Sequence, residues 1–270
     1  MLNESHRQLC TELLKKELIP ALGCTEPIAV AYAAARCRAL LSEQLEMNLA
    51  IAQEGIENGY GAQIGRTLLQ TMPQEDIRVR AVAYAAAGSD ARMSGCVLPV
   101  VINSGSGNQG ITVSVPRAVY ARQEQKSDEQ LYRALAFSNL LALYQKTFIG
   151  KLSAYCGAIS AACACVAGIA FLNDEPMEVI EKTIVNTLGG VAGVLCDGAK
   201  PSCAAKIAAG LQSGLQGYEM AKRGFCFRDG EGLVMQTADQ TIRAFGYVGK
   251  VGMRQTDSTI LRLMVGETQI

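Results

Sequence analysis

Residues 152–172 read LSAYCGAISAACACVAGIAFL, a stretch without a single charged side chain. It is long enough to cross a bilayer, but its apolar content is mostly alanine, glycine and cysteine. Small side chains of this kind let helices pack closely and present little surface to lipid, and the sequence holds no second comparable segment. We therefore predict that this stretch is the buried central helix of a globular protein and does not span a membrane.

Helical periodicity extends over most of the remaining chain. Residues 5–18 are amphipathic, residues 46–72 form a helical pattern interrupted by GYGAQIG, and the alanine-rich residues 76–87 predict a helix that ends at Gly88. Further helix ends are predicted near Gly150, Asn173–Pro176, Gly189–Gly190 and Gly230–Gly232. Residues 96–116 combine strand-like apolar runs with a Gly/Ser/Asn loop, which predicts a short β and loop element. The predicted fold class is mainly α.

Composition excludes several classes of protein. The 270 residues carry 25 basic and 25 acidic side chains without a basic stripe that could follow a phosphate backbone, so nucleic acid is not an expected partner. The first residues lack the pattern of a secretory signal, so we expect a cytoplasmic protein with reduced thiols. The one histidine, His6, argues against a metal site built on imidazole, so any metal would be bound by sulfur.

The 10 cysteines fall into different sequence contexts. Those within alanine-rich helical patterns, where cysteine usually packs as a small apolar residue, are Cys37, Cys163 and Cys165. Those beside glycine at the ends of predicted elements are Cys24, Cys156 and Cys196. Free backbone N–H groups at a helix start favour the thiolate, which is the form that binds metal. The wide spacing matches no compact ligand motif, so the residues alone leave packed thiols, reactive thiols and metal ligands as alternatives.

A glycine-rich loop, NSGSGNQG at residues 103–110, offers backbone N–H groups and short polar side chains that suit a carboxylate or phosphate. It lacks both the ending of a Walker loop and the spacing of a dinucleotide fingerprint. The candidate binding residues are Ser104, Gly105, Ser106, Gly107, Asn108 and Gln109, together with Arg92, which suits bidentate pairing with a carboxylate. Two non-functional interpretations fit these residues equally well at this point: the loop as an ordinary turn-rich connection, and Arg92 as a solvated surface charge.

Several motifs in register resemble one family. The chain is similar to L-cysteine desulfidases, which are related to the alpha chain of iron–sulfur L-serine dehydratases, in the motifs PALGCTEPIAVAYAAA, AQEGIENGYGAQIG, SDARMSG, NSGSGNQGITVSVP, KLSAYCGA and CDGAKPSCAAK. These motifs occur in the expected order and span nearly the whole chain, which makes the resemblance specific.

The resemblance implies a mostly helical catalytic domain and a [4Fe–4S] cluster with one iron open to the substrate. Matched motif by motif, the implied cluster ligands are Cys24, Cys156 and Cys196, and Cys203 is left as a packing neighbour. No pyridoxal phosphate is implied.

The implied reaction is β-elimination, in which L-cysteine yields sulfide and an aminoacrylate that hydrolyses to pyruvate and ammonia; L-serine is the related hydroxyl substrate. The glycine-rich loop and Arg92 are expected to hold the carboxylate of this small-molecule substrate. Lys206 and Lys151 are the candidate bases, with Asp197 behind them.

The chain departs from the family pattern in length. It passes from LLSEQ directly to LEMNLAIAQEG, with an apparent junction near residues 44–48, where family members carry a middle segment with a second glycine-rich loop. We therefore expect one shortened domain over residues 1–270. The alternative function is a catalytically impaired or non-enzymatic protein that keeps a cluster or small-molecule site. Both functions are compatible with a homo-oligomer or with a partner chain that supplies the missing segment.

Overall fold

The computed structural model describes residues 25–150 and 153–267. The predicted helix at residues 5–18, Cys24 and Lys151 lie outside these described residues. The chain divides into two compact units, residues 1–42 and 43–270, and the boundary falls within the first described helix. The cavity and the helix packing described below belong to the second unit. The expectation of one shortened domain stays a prediction.

The described residues are mainly α-helical, which confirms the predicted fold class. The helices are α1 (Thr25–Glu57), α2 (Ile64–Thr71), α3 (Ile77–Met93), α4 (Gly107–Gln123), α5 (Asp128–Ile149), α6 (Gly157–Leu172), α7 (Met177–Val191), α8 (Cys203–Lys222), α9 (Ala238–Tyr247) and α10 (Arg254–Met264). A short π-helical turn, Val248–Gly252, joins the last two helices. In the part of the chain that the structure describes, no helix combines the length and apolar character that a membrane crossing requires.

Helix α6 is the buried centre of the second unit, as its uncharged sequence predicts. Its residues are buried along nearly its whole length, and it packs against α4, α5, α7 and α8. Gly168 explains how closely these helices approach, because a Cβ at this position would lie 1.8 Å from Ser138 Oγ of α5 and 2.6 Å from Arg117 Nη1 of α4. The small residues of α6 therefore serve helix packing inside a protein core.

The strand-like part of residues 96–116 was predicted wrongly. Residues 96–102 are an irregular segment, Asn103 and Ser106 form an isolated β-bridge, and ITVSVP belongs to α4. Ser106 caps this helix by accepting a hydrogen bond from the Gln109 N–H. Because α4 is buried on all its faces, its β-branched residues give no helical periodicity, and tertiary burial overrides their strand preference.

The helix end predicted at Gly88 was also wrong, because the glycine there serves packing. Helix α3 continues past Gly88 to Met93, and Gly88 lets α4 and α1 approach: its Cβ would lie 3.2 Å from Ile111 and 3.3 Å from Ala52. The end predicted near Gly189–Gly190 is confirmed, because α7 ends at the next residue, Val191. The interruption at GYGAQIG and the ends at Gly150 and Asn173–Pro176 are confirmed, and the break predicted at Gly230–Gly232 lies in the non-helical segment between α8 and α9.

Candidate functional site

A cavity of about 300 Å³ in the second unit collects most of the sequence-predicted site residues. Of these residues, its wall contains Arg92, Ser104, Gly105, Ser106, Asn108, Gln109, Cys156 and Cys196. The residues on the wall that the sequence analysis did not select include Lys146, Ser153, Tyr155 and Cys203. The end of α3, the start of α4, the last turn of α5 and the start of α6 meet at this cavity, so residues far apart in sequence share one site.

Cys156 and Cys196 are held together by their backbones. Tyr155 and Leu195 form an antiparallel β-bridge, the Cys156 N–H donates to the Val194 carbonyl over 3.0 Å, and the Cys196 N–H donates to the Ala154 carbonyl over 2.6 Å. The two thiols are therefore neighbours, and each shifts the pKa of the other. The KLSAYCGA and CDGA motifs, which are far apart in sequence, therefore meet in space.

The paired cysteines differ in charge. The hydrogen bond from Cys156 lowers the pKa of Cys196 to about 6; burial opposes this shift, and the Gly198 N–H and the Lys206 and Lys146 ammonium groups add to it. The same hydrogen bond, together with burial, raises the pKa of Cys156 far above its ordinary value. At neutral pH the pair therefore holds one proton on Cys156 and a thiolate on Cys196, the state of sulfur that binds metal.

Asp197 is surrounded by lysines. Its carboxylate accepts hydrogen bonds from the Lys200 and Lys206 ammonium groups, which lower the pKa of Asp197 to about 2. Lys206 also donates to the Leu195 carbonyl over 2.7 Å. Burial opposes the charge of Lys206, but its pKa is raised because the hydrogen bond and charge of Asp197 outweigh burial. Lys206 and Asp197 thus hold each other in their charged forms.

Lys146 is a cavity lysine that the sequence analysis missed. It lies in the last turn of α5, where no motif marks it, and only the fold brings it beside the cysteines. Burial lowers the pKa of Lys146, and the nearby Cys196 and Cys156 partly offset that effect. A cationic side chain therefore lies on the sulfur side of the cavity.

The glycine-rich loop forms another part of the cavity wall. Ser104 and Gly105 adopt left-handed backbone conformations with φ of 51° and 80°, which turn the chain into the start of α4. The Arg92 Nη1 donates to Asn108 Oδ1 over 3.3 Å. Asp90, from the same SDARMSG motif, lies away from the cavity and accepts a hydrogen bond from the Gly65 N–H instead. The loop, its serines and Arg92 thus present donors to one region.

Other cysteines separate into packing and wall positions. Cys163 and Cys165 are fully buried in α6, which confirms their packing role, whereas Cys37 is exposed and does not pack as predicted. Cys203, which was also expected to pack, lies on the cavity wall at the start of α8 with its Sγ 3.5 Å from the Gly198 carbonyl. Within the described residues no group of three or more His, Cys, Asp or Glu side chains is arranged to hold a metal ion.

Comparisons with known proteins identify the family. The chain matches the model of the serine dehydratase alpha chain over residues 10–262. It is 54% identical over 228 residues to a UPF0597 protein of Desulfitobacterium hafniense, a match that covers 84% of this chain and 53% of the relative. A UPF0597 protein of Finegoldia magna is 49% identical over 228 residues, a match that covers 84% of this chain and 54% of the relative.

The chain spans about half the length of the curated relatives it matches. No solved structure matches it. The chain belongs to the serine dehydratase alpha-chain family.

Proposed function

We propose that the protein catalyses an iron–sulfur-dependent β-elimination on L-cysteine, with L-serine as a weaker substrate, in the cytoplasm. The observation that carries the proposal is the cavity whose wall contains Cys156 and Cys196 together with Arg92 and the glycine-rich loop. Membership of the serine dehydratase alpha-chain family supports a lyase of this type. The described cysteines are all free thiols, which fits a reducing compartment.

The sulfur groups of the cavity fit an iron–sulfur cluster. Cys156 and Cys196 supply two adjacent sulfurs, one already a thiolate at neutral pH, and Cys24, outside the described residues, is the proposed third ligand. When bound, a [4Fe–4S] cluster supplies a Lewis acid for the leaving sulfur or hydroxyl group. Pyridoxal phosphate has no part in this proposal.

The chain's own residues bind and orient the substrate. Arg92 and the free N–H groups at the start of α4 offset the charge of the substrate carboxylate, with Ser106 and Asn108 beside them. This makes the adjacent α-proton easier to remove, because negative charge that develops next to a carboxylate is stabilised by preorganised donors. Lys206, Lys151 and Asp197 remain the proposed candidates for proton transfer, of which Lys206 is held charged by Asp197.

A second candidate function is a catalytically impaired protein that retains only the cluster or small-molecule site. It is favoured by one observation, that the chain covers only 53% of a close relative's length. Residues beyond the matched half would then complete the substrate pocket in the longer proteins, and this chain would bind without turnover.

Anaerobic reconstitution with iron and sulfide tests both functions. We expect the purified full-length chain to gain iron and visible charge-transfer absorbance, and then to release sulfide from L-cysteine. Cys156→Ala and Cys196→Ala should lose most of the bound iron, whereas Cys226→Ala, a cysteine outside the cavity, should retain it. An iron-loaded chain that releases no sulfide would support the impaired protein, and unchanged iron in both cavity variants would exclude the cluster site.

A further inference from the structure

Lys206 contacts the chain on both sides of Cys196. Its ammonium donates to the Leu195 carbonyl over 2.7 Å and to the Asp197 carboxylate, so its two acceptors belong to the residues directly before and after the cysteine. The Lys206 side chain is 19% exposed, so salt and water screen this ion pair less than one on an open surface. A single side chain therefore restrains the backbone segment that carries Cys196.

These contacts act on the edge of the segment that the β-bridge leaves open. Successive residues of an antiparallel pair direct their backbone N–H and carbonyl groups alternately toward the partner and away from it. The Val194 carbonyl and the Cys196 N–H are bonded to the neighbouring residues 154–156. The carbonyl of Leu195, which lies between them, points away from that partner and is bonded by Lys206 instead. The segment that carries Cys196 is thus held at both edges.

The lysine belongs to a well-packed helix and the cysteine does not. Lys206 lies in the first turn of α8, which spans Cys203–Lys222 and packs against α6 and α7. Cys196 lies in the non-helical segment between α7 and α8. Connecting segments are more mobile than the helices they join, so the contacts of Lys206 tie the position of Cys196 to α8.

We propose that Lys206 is a positioning residue: it holds Cys196 in place as a ligand of the proposed cluster, and it does not remove the α-proton of the substrate. The inference rests on the proposed function, because it assigns a role in cluster binding. Among the described residues, Cys196 is part of the cavity wall and Lys206 is not. A base must come within hydrogen-bond reach of the proton it removes, whereas a positioning residue acts through the ligand that it holds.

Hydrogen exchange of the cluster-free, full-length chain tests these contacts without iron. The Cys196 N–H donates to the Ala154 carbonyl over 2.6 Å, so it should exchange slowly in the unmodified chain. In Lys206→Met the peptide over residues 193–200 should exchange about tenfold or more faster by mass spectrometry, as expected on loss of one charge-assisted contact. Lys206→Arg should restore slow exchange, because a guanidinium also donates to a carbonyl and a carboxylate. Lys206→Gln supplies the same test if the methionine variant does not fold.

Two other lysines provide matched controls. Lys222→Met, at the far end of α8 where Lys222 pairs with Glu219, should behave as the unmodified chain. Lys200→Met removes the other ammonium from Asp197 but leaves the contact of Lys206 with Leu195. It should therefore increase the exchange rate by about threefold or less, as for an exposed ion pair.

Iron release after anaerobic reconstitution distinguishes positioning from proton removal. Lys206→Met should lose iron to a chelator about tenfold or more faster than the unmodified chain, as expected for a residue that supports a metal ligand, and Lys206→Arg should retain it. A Lys206→Met chain with stable iron that releases no sulfide would overturn the inference in favour of a base.

The exchange measurement can also overturn the inference. Unchanged exchange in Lys206→Met and Lys206→Gln, or equal exchange in Lys200→Met and Lys206→Met, would show that Lys206 does not hold Cys196. Failure of the proposed function has a different signature. An unmodified chain that binds no iron would exclude the cluster, while the exchange rates would still decide whether Lys206 positions Cys196.

Discussion

The Arg92 Nε lies only 2.3 Å from the position that a Cβ on Gly107 would occupy. Arg92 therefore rests directly over the first residue of α4, in the space that any larger residue at position 107 would fill. This contact fixes the Arg92 guanidinium against the helix start, so the glycine-rich loop and the SDARMSG motif meet at the cavity. Glycine at position 107 is needed for close approach, since its backbone is helical.

Gly107→Ala should displace Arg92 from the cavity. We expect ligands with an α-carboxylate to bind about tenfold or more weakly, the loss expected for one charge-assisted contact, while the iron content of the reconstituted chain is unchanged. Calorimetric titration with L-aspartate and an iron assay measure the two quantities. Gly190→Ala is the control, because the atom near its added Cβ is the flexible Ser213 Oγ at 3.0 Å. Equal binding by both variants would contradict the role assigned to Arg92.

Gly168→Ala should destabilise the second unit by about 1–3 kcal/mol, the usual cost of overpacking a well-packed core. The added methyl group would enter the space of Ser138 Oγ and of the Arg117 guanidinium, whose Nη1 donates to the Ala134 carbonyl over 2.7 Å. Denaturant unfolding followed by circular dichroism measures the change, with Gly190→Ala again as the control. A midpoint equal to that of the unmodified chain would mean that α4 and α5 can move away from α6 at little cost.

The sequence predicted the helical class and the buried central helix because uncharged small residues at 152–172 have few other uses in a globular protein. It failed at ITVSVP and at Gly88 for one physical reason. Both lie in helices that are buried over most of their length, so neither alternation nor a helical stripe indicates the local structure. A glycine in such a helix allows a neighbouring helix to approach and does not end the helix.

The sequence identified only those candidate site residues that belong to a recognisable motif. Cys156, Cys196, Arg92 and the loop stand in recognisable motifs, and the structure brings them to one cavity. Lys146 has no such signal, because it is an ordinary residue of α5 that reaches the cavity through the packing of α5 on α6. Cys203 was left to packing because the family motifs imply no ligand role for it, but it lies on the cavity wall at the start of α8.

Asp90 should make stability depend on pH. It is 1% exposed, its Oδ2 accepts the Gly65 N–H over 3.1 Å, and its Oδ1 has no partner within the described chain. Burial raises the pKa of Asp90 to about 6, although the backbone N–H groups of Gly65 and Ile64 oppose this shift. Because the folded chain prefers the protonated carboxyl, its contribution is fully present below pH 4 and is lost as pH rises through about 6.

Asp90→Asn imitates the neutral carboxyl and keeps an oxygen for the Gly65 N–H. We expect it to stabilise the chain at pH 8 by an amount on the order of 2 kcal/mol and to have little effect near pH 4, as measured by thermal unfolding across that range. Asp76→Asn is a control of opposite sign, because the hydrogen bond from Arg78 lowers the pKa of Asp76 and its stabilisation is lost at low pH. A pH-independent difference for Asp90→Asn would contradict the burial argument.

Cys196 should ionise near pH 6 in the cluster-free chain. Thiolate absorbance at about 240 nm, followed under anaerobic conditions, should include a step at that pH, since the hydrogen bond from Cys156 lowers the pKa of Cys196. Cys196→Ala should lose the step, and Cys156→Ala should move it upward toward the ordinary thiol range because the main cause of the shift is gone. Cys165→Ala, a buried cysteine of α6 outside the cavity, should keep it. If Cys156→Ala leaves the step at the same pH, then the lysines and the Gly198 N–H, and not the neighbouring thiol, hold the charge on Cys196.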